Sequence, residues 1–593
     1  MKRLHLPFLG SFRRGLFIRF VFSVGGLWAP AVAFGTSAAA PEPATGWQPK
    51  PEITTQLYMA VTAHPLATDA ATAILKDGGN AMDAAIAAQF VLNLVEPQSS
   101  GIGGGAFLLY WDSKNQELLT FDGRETAPVA ADGDYFRDAS GALLKWQEAR
   151  ASARAVGVPG TLHLLETAHR RLGQKPWASL INPAIDLAEG GFKVSLRLAQ
   201  SIAGAQPLLR RSPTTRAYFF TSDDAPLPAG YWLTNPAFSK ALKQIANGGA
   251  DALYRGPIGQ AILQTLKDAS TLPSLMSVED LSEYKTIIRP PVCARYRENS
   301  VCGMGPPSSG ALTVGQILGL LDGFNLKAIG PQAEGIHLIA EASRLAYADR
   351  ARYMADADFV SIPTDGLLDA GYLEQRRALI KTDRSMGKAE AGMPPGASLA
   401  LAPMSQPEAA GTSHLSIVDK EGNIVSMTTT IESGFGSGLM AEGFLLNNEM
   451  TDFSFKSEVD GQFIANRVEG GKRPRSSMAP TIVFDGDGRP VLVAGSPGGS
   501  RIICYVAKTL VSILDWQMSP QQAVEQAHFC NRNGATELER GLDSDALRLS
   551  LEALGHEVRD REMNSGLHII RRQPDGSLTA GVDPRREGVA AGE

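Results

Sequence analysis

The sequence predicts an α+β protein, and three patterns along it carry that prediction. Residues 68–94 hold alanine-rich helices, residues 160–290 alternate helical segments with short loops, and from Thr412 the pattern turns strand-like almost to the C-terminus. Charge is slightly acidic and dispersed, with 56 Lys and Arg against 62 Asp and Glu. No basic stripe with interleaved aromatics is present, so nucleic acid is excluded as a partner class.

Residues 1–40 stand outside the fold. Lys2, Arg3, Arg13 and Arg14 make a cationic start, Gly15 to Phe34 is mostly apolar, and small residues follow at Ala31-Val32-Ala33 and Ala38-Ala39-Ala40. This is the pattern of a signal peptide cleaved near Ala33 or Ala40, which makes the protein periplasmic or secreted. The Arg13-Arg14 pair permits a twin-arginine route, although Arg19 interrupts the apolar run. An uncleaved membrane anchor is the alternative, since that run is near spanning length. The remaining chain, about 550 residues, allows three or four domains by length alone.

The first helices, Thr68 to Lys76 and Ala81 to Leu94, are joined by Asp77-Gly78-Gly79-Asn80, a stop followed by a restart. Gly101-Ile102-Gly103-Gly104-Gly105-Ala106 has the outline of a dinucleotide fingerprint but precedes a strand, Phe107 to Trp111, where the fingerprint needs a helix. NAD is therefore rejected, and these glycines are expected to let the backbone pass close to another group. Arg289-Pro290-Pro291 starts a strand pair, and Pro306-Pro307-Ser308-Ser309-Gly310 introduces the helix Thr313 to Leu321. Of the four cysteines, Cys293 and Cys302 flank a hairpin and can pair across it, whereas Cys504 and Cys530 are expected as separate buried thiols. The nine histidines show no metal-ligand spacing, so no metal and no other cofactor is expected.

Residues 385–411, rich in Gly, Ala, Pro, Ser and Met, predict an exposed, flexible linker ending at Gly411. The hairpin that follows has strands Thr412 to Asp419 and Asn423 to Ile431, joined by Lys420-Glu421-Gly422 with glycine at the left-handed position. In that register Thr412 opposes Thr430 on one face, and a slip of one residue would separate them.

A threonine hydroxyl becomes a nucleophile only if something removes its proton. Cleavage of the Gly411–Thr412 bond would supply that base as the new α-amine, whose reference pKa is about 7.7–8.0. The same hydroxyl can first attack the Gly411 carbonyl, giving an ester that water hydrolyses. Taken alone, Gly-Thr-Ser is a strand start and Arg124-Glu125 a surface ion pair.

In company these segments resemble the gamma-glutamyltransferase family of N-terminal nucleophile hydrolases. The likeness runs from Gly78-Gly79-Asn80 and Gly103-Gly104-Gly105 through Arg124-Glu125-Thr126-Ala127-Pro128, Pro307-Ser308-Ser309-Gly310 and Thr412-Ser413-His414 to Asp583-Pro584-Arg585. The resemblance implies a four-layer αββα sandwich, a large subunit 41–411 and a small catalytic subunit 412–593 that stay together after cleavage. It implies Thr412 as nucleophile, Thr430 as its hydroxyl partner, and Gly498 and Gly499 as the oxyanion hole. It further implies that Arg124, Ser476 and Ser477 bind a donor α-carboxylate, and that Glu449 and Asp452 hold its α-ammonium group. The implied donor is a gamma-glutamyl compound such as glutathione, and the acceptor is water, an amino acid or a peptide.

Two departures bear on the donor. Glu432 stands where the family usually has asparagine near the head group, and a carboxylate there would weaken the grip on an α-carboxylate. Segments 438–446 and 453–472 are also short for the family. A related acylase acting on glutaryl-cephalosporin or poly-gamma-glutamate is therefore one rival reading, and an exported amino-acid-binding protein with an intact Gly411–Thr412 bond is another.

Overall fold

The computed structural model describes residues 45–593 apart from 270–271, 399, 406–410 and 542–543; the expected signal peptide, its cleavage points and the alternative anchor lie outside the described residues. Among the described residues no helix is long and apolar enough to cross a membrane.

Fourteen strands build two antiparallel sheets: β1 Ile53–Thr55, β2 Met59–Thr62, β3 Gly105–Asp112, β4 Glu117–Gly123, β5 Ile287–Arg289, β6 Val292–Tyr296, β7 Asn299–Gly303, β8 Gly411–Val418, β9 Ile424–Glu432, β10 Thr481–Phe484, β11 Pro490–Gly495, β12 His568–Arg572, β13 Leu578–Val582 and β14 Val589–Gly592. The first sheet runs β14-β2-β8-β9-β3-β4-β5 and the second β1-β13-β12-β11-β10-β7-β6. Helices α1 (Pro65–Lys76), α2 (Ala81–Val95) and α3 (Thr161–Leu172) cover the first sheet. The second is covered by α4 (Gly310–Leu321), with α5 (Ala333–Tyr353) and α6 (Ile502–Leu514) packed on it. The sheets face each other through β8, β9, β11 and β12, which makes the four-layer αββα sandwich.

The residues account for the layers. In β3, Ala106, Leu108 and Tyr110 pack toward α1 and α2, while Phe107, Leu109 and Trp111 enter the other core; a strand buried on both faces reads as a continuous apolar run. Asp77 closes α1, Gly78 follows at φ 78°, and Asn80 opens α2 with a reciprocal capping box to Asp83. The β8–β9 hairpin turns through Gly422 at φ 85°, so the expected three-residue connection is present.

Length allowed several domains, yet the described residues belong to one compact unit. The reason is topological: each sheet interleaves strands from before and after Gly411, and the C-terminal strand β14 pairs with β2. The expected linker also differs. Leu401–Ala402 pairs in parallel with Phe463–Ile464, and Met404 is buried with its N–H on the Ala351 carbonyl. Its apolar side chains had a docking surface that composition alone does not reveal.

The Cys293–Cys302 bridge spans directly opposed positions of the β6–β7 hairpin. Cys504 and Cys530 are buried as expected but are bonded to each other rather than separate. The pair joins α6 to the strand Phe529–Asn531, a contact set by tertiary packing.

Between the sheets, His414 and His568 are buried side by side. His568 Nδ1–H donates to the His414 carbonyl at 2.7 Å, and His414 bonds Thr428 and Ser416. Burial holds His568 down to about 4, and burial followed by the neighbouring His568 holds His414 well below the usual range. Both are neutral in the fold while the unfolded chain protonates near 6.5, so their stabilisation is complete above that pH and is lost as pH falls toward 4. The urea midpoint is expected to drop clearly between pH 7.5 and pH 5; an unchanged midpoint would contradict neutral burial.

Candidate active site

Gly411 and Thr412 begin β8. Thr412 pairs with Thr430 and Gly411 with Glu432, so Ile431 is the extra residue of a bulge. Such bulges re-aim side chains beside a site. Thr412 Oγ lies 3.5 Å from Thr430 Oγ. The Thr430 hydroxyl accepts from the Glu432 N–H at 2.8 Å and donates to the Gly411 carbonyl at 2.5 Å. That bond polarises the carbonyl carbon next to the Thr412 hydroxyl. A Cβ on Gly411 would come within 2.6 Å of the Ser433 carbonyl carbon, so only glycine fits before Thr412. A Cβ on Gly104 would come still closer, 1.9 Å from the Thr430 carbonyl oxygen, and one on Gly105 2.2 Å from the Glu125 carboxylate, which is the close approach expected of that glycine run.

From the facing sheet, the turn after β11 brings Gly498 and Gly499, at φ 136° and 58°, to the start of α6. Positive φ at both positions is open to glycine without strain, and the turn leads into a helix N-terminus, a favourable setting for negative charge. Gly499 lines a cavity of about 30 Å³, shared with Thr412, Thr430, Arg124, Glu432, Glu449, Asp452, Ser476 and Ser477. That is room for about two waters.

Arg124 follows β4 and is 1 % exposed, so the surface-pair reading of Arg124-Glu125 fails: both side chains are buried. The cation expected to bind a donor carboxylate and the acids expected to bind its ammonium are in direct contact with each other. Arg124 Nη1 bonds Glu449, Nη2 bonds Asp452 (2.6 Å) and the Arg475 carbonyl (3.0 Å), and Nε bonds the Pro474 carbonyl (3.2 Å). Opposite charges this deeply buried pair with each other when nothing else neutralises them. Burial opposes the charge on Arg124, but Glu449, then Asp452 and Glu125, hold its pKa above the ordinary value.

The acids outnumber that arginine. Burial pushes Glu125 up to about 7 and Glu449 well above the carboxylate range, and burial followed by Asp452 pushes Glu432 up to about 8. Glu432 itself sits at φ 75°, with Oε2 accepting from Ser433 Oγ and from Asn448 Nδ2 at 2.6 Å. A non-glycine residue in the left-handed region is sterically costly and persists where surrounding contacts over-determine it.

Ser476 and Ser477 are held from the other half of the chain. Ser309 N–H and Oγ both donate to the Ser476 carbonyl, and Arg350 bonds Ser309 Oγ and Ser477 Oγ at 2.8 and 2.5 Å. Arg350 on α5 carries no local sequence signal. Arg586, which donates to the Thr412 carbonyl at 3.3 Å, follows directly on the Asp583-Pro584-Arg585 motif. The histidines also group more closely than their spacing suggested. His337, Glu341 and His556 bring ligand atoms within 4.8 Å of one another, but both His337 nitrogens and both His556 nitrogens lie in one hydrogen-bonded chain from the Lys381 carbonyl to Thr536.

The family model described as Gamma-glutamyltranspeptidase matches residues 67–593. A glutathione hydrolase proenzyme of Bacillus subtilis (strain 168) is 38% identical over 546 residues, covering 90% of this chain and 91% of that protein. An acylase ACY 1 proenzyme of Pseudomonas sp. (strain V22) is 34% identical over 540 residues, covering 90% and 92%. Among solved structures, cephalosporin acylase from Bacillus halodurans superposes with a TM-score of 0.81 at 25% identity, over 91% of this chain and 97% of that one.

Proposed function

The chain belongs to the gamma-glutamyltranspeptidase family, and on that premise we propose that it is an exported, self-processing gamma-glutamyl transferase and hydrolase of glutathione-like compounds. The observation that carries this reading is the single cavity in which Thr412, Thr430 and Gly499 meet the Arg124–Glu449–Asp452 group.

In processing, Thr412 Oγ attacks the Gly411 carbonyl carbon. The C–N bond breaks, the amine takes the proton, and water hydrolyses the ester, leaving a Gly411 carboxylate and a free Thr412 amine. In turnover that amine accepts the Thr412 hydroxyl proton while Oγ attacks the donor γ-carbonyl. The Gly498 and Gly499 amides stabilise the oxyanion, each such donor contributing about 3–4 kcal/mol. The proton passes to the departing amine, and water or an acceptor amine resolves the acyl-Thr412 ester. Because both sheets interleave strands from the two sides of Gly411, fragments 41–411 and 412–593 remain one heterodimer. Two disulfides support an oxidising, periplasmic or secreted location.

Processed protein is expected to release p-nitroaniline from γ-glutamyl-p-nitroanilide, and faster with a dipeptide acceptor where transfer competes with hydrolysis. Tight binding of the donor without release would favour the binding-protein reading.

A further inference from the structure

Gly498 and Gly499 have no side chains to pack, and glycine is the residue with the widest choice of backbone conformations. Oxyanion donors, in contrast, act only when held about 2.7–3.1 Å from the place where charge develops. The turn therefore needs anchors from its neighbours, and the residues that follow it supply them.

The strands Phe529–Asn531 and Thr536–Glu539 form a hairpin outside the two main sheets. Arg532 Nη1 donates to Ser500 Oγ at 2.8 Å. Arg501 grips Glu537 with both arms of its fork, Nε at 2.8 Å and Nη2 at 3.1 Å, and Arg532 Nη2 bonds the same carboxylate at 3.2 and 3.3 Å. Just inside α6, Cys504 is bonded to Cys530. Three points shortly after Gly499 are thus tied to one hairpin, and from α5 the Tyr347 hydroxyl donates to the Ser500 carbonyl. Ser500 itself lines the cavity with Thr412 and Gly499.

The hairpin is itself held firmly. Asn533 exchanges two hydrogen bonds with the Ala389 backbone, at 2.7 and 2.8 Å, and Thr536–Glu539 pairs in parallel with Val558–Arg561. Burial opposes the charge on Glu537, but the hydrogen bond from Arg501 and the charge of Arg532 hold it below the ordinary carboxylate range.

We infer that this hairpin positions the oxyanion turn: Cys530, Arg532 and Glu537 hold Cys504, Ser500 and Arg501, and through them the Gly498 and Gly499 amides. The three are positioning residues, since none of them lines the cavity. This rests on the reading of Gly498 and Gly499 as the oxyanion hole. An interaction made only in the transition state lowers kcat and kcat/KM together when it is lost.

Arg532→Ala, Glu537→Gln and the double variant Cys504→Ala/Cys530→Ala test this with γ-glutamyl-p-nitroanilide. The Arg532 side chain is 31 % exposed, so its truncation is expected to keep the fold even where the buried changes do not. Each variant should still be cleaved at Gly411–Thr412, where Thr430 supports the carbonyl. The expected loss is about tenfold in kcat per cleaved chain at unchanged KM, part of the roughly 10²–10³-fold that one whole donor contributes. A hairpin that only stabilises the fold would lower the urea midpoint and leave the kcat of folded, cleaved enzyme as it was. That result, or a raised KM at unchanged kcat, overturns the inference. A wild type that is cleaved but never turns over the anilide would instead overturn the acyl-transfer reading on which it rests.

Discussion

Thr412→Ala is expected to remain a single chain and to lose turnover by at least about 10⁴-fold, the scale seen when a catalytic nucleophile is deleted. In the proposed mechanism one hydroxyl serves both steps, attacking the Gly411 carbonyl during processing and the donor carbonyl during catalysis. Thr412→Ser keeps an oxygen in place and should process and turn over, more slowly. Thr430→Val makes a finer cut. It removes the hydroxyl that donates to the Gly411 carbonyl at 2.5 Å, and processing should slow by about 10²–10³-fold while Thr412 is still present. Gel analysis of freshly purified protein checks all three. Full processing of Thr412→Ala would mean that another group cuts the chain.

Arg124→Ala has the second largest expected effect, and it falls on stability as well as activity. The guanidinium is buried against Glu449 and Asp452, with Glu125 3.8 Å away. Its removal takes the buried cation from Glu449 and Asp452, a loss of about 3–5 kcal/mol for a broken buried pair. Part of that loss will be relieved by protonation, because burial already holds Glu125 at about 7. Arg124→Lys keeps the charge without the planar fork and should fall between wild type and alanine. Combining Arg124→Met with Glu449→Gln and Asp452→Asn removes the stranded charges together, and is expected to recover stability but no activity. Urea unfolding beside anilide hydrolysis separates the two effects. An Arg124→Ala protein as stable as wild type would contradict the neutralising role given to this residue.

What the sequence makes legible here is local, or tied to a sharp stereochemical requirement. The opposition of Thr412 and Thr430 follows from one glycine in a three-residue loop, and the structure has that register. The α1–α2 junction follows from Gly78 and the Asn80 capping box. The glycine run before β3 likewise serves a close backbone approach. What stays hidden is which distant partners meet. Arg124 finds Glu449 across 325 positions, and Arg350 finds Ser477 across 127. Burial of Cys504 and Cys530 is readable from apolar neighbours, but their bond depends on how α6 packs against the strand Phe529–Asn531. The stretch before Gly411 has the composition of a linker, and its docking through Leu401–Ala402 depends on an edge supplied by Phe463–Ile464.

The most direct test of Thr412 as the N-terminal nucleophile is mass analysis of the small fragment's first peptide, taken from enzyme acid-quenched during turnover of a γ-glutamyl donor. The account predicts a peptide that begins at Thr412 and carries one γ-glutamyl group on that residue. A peptide still running through Gly411 into Thr412, or a label on any other residue, would contradict it.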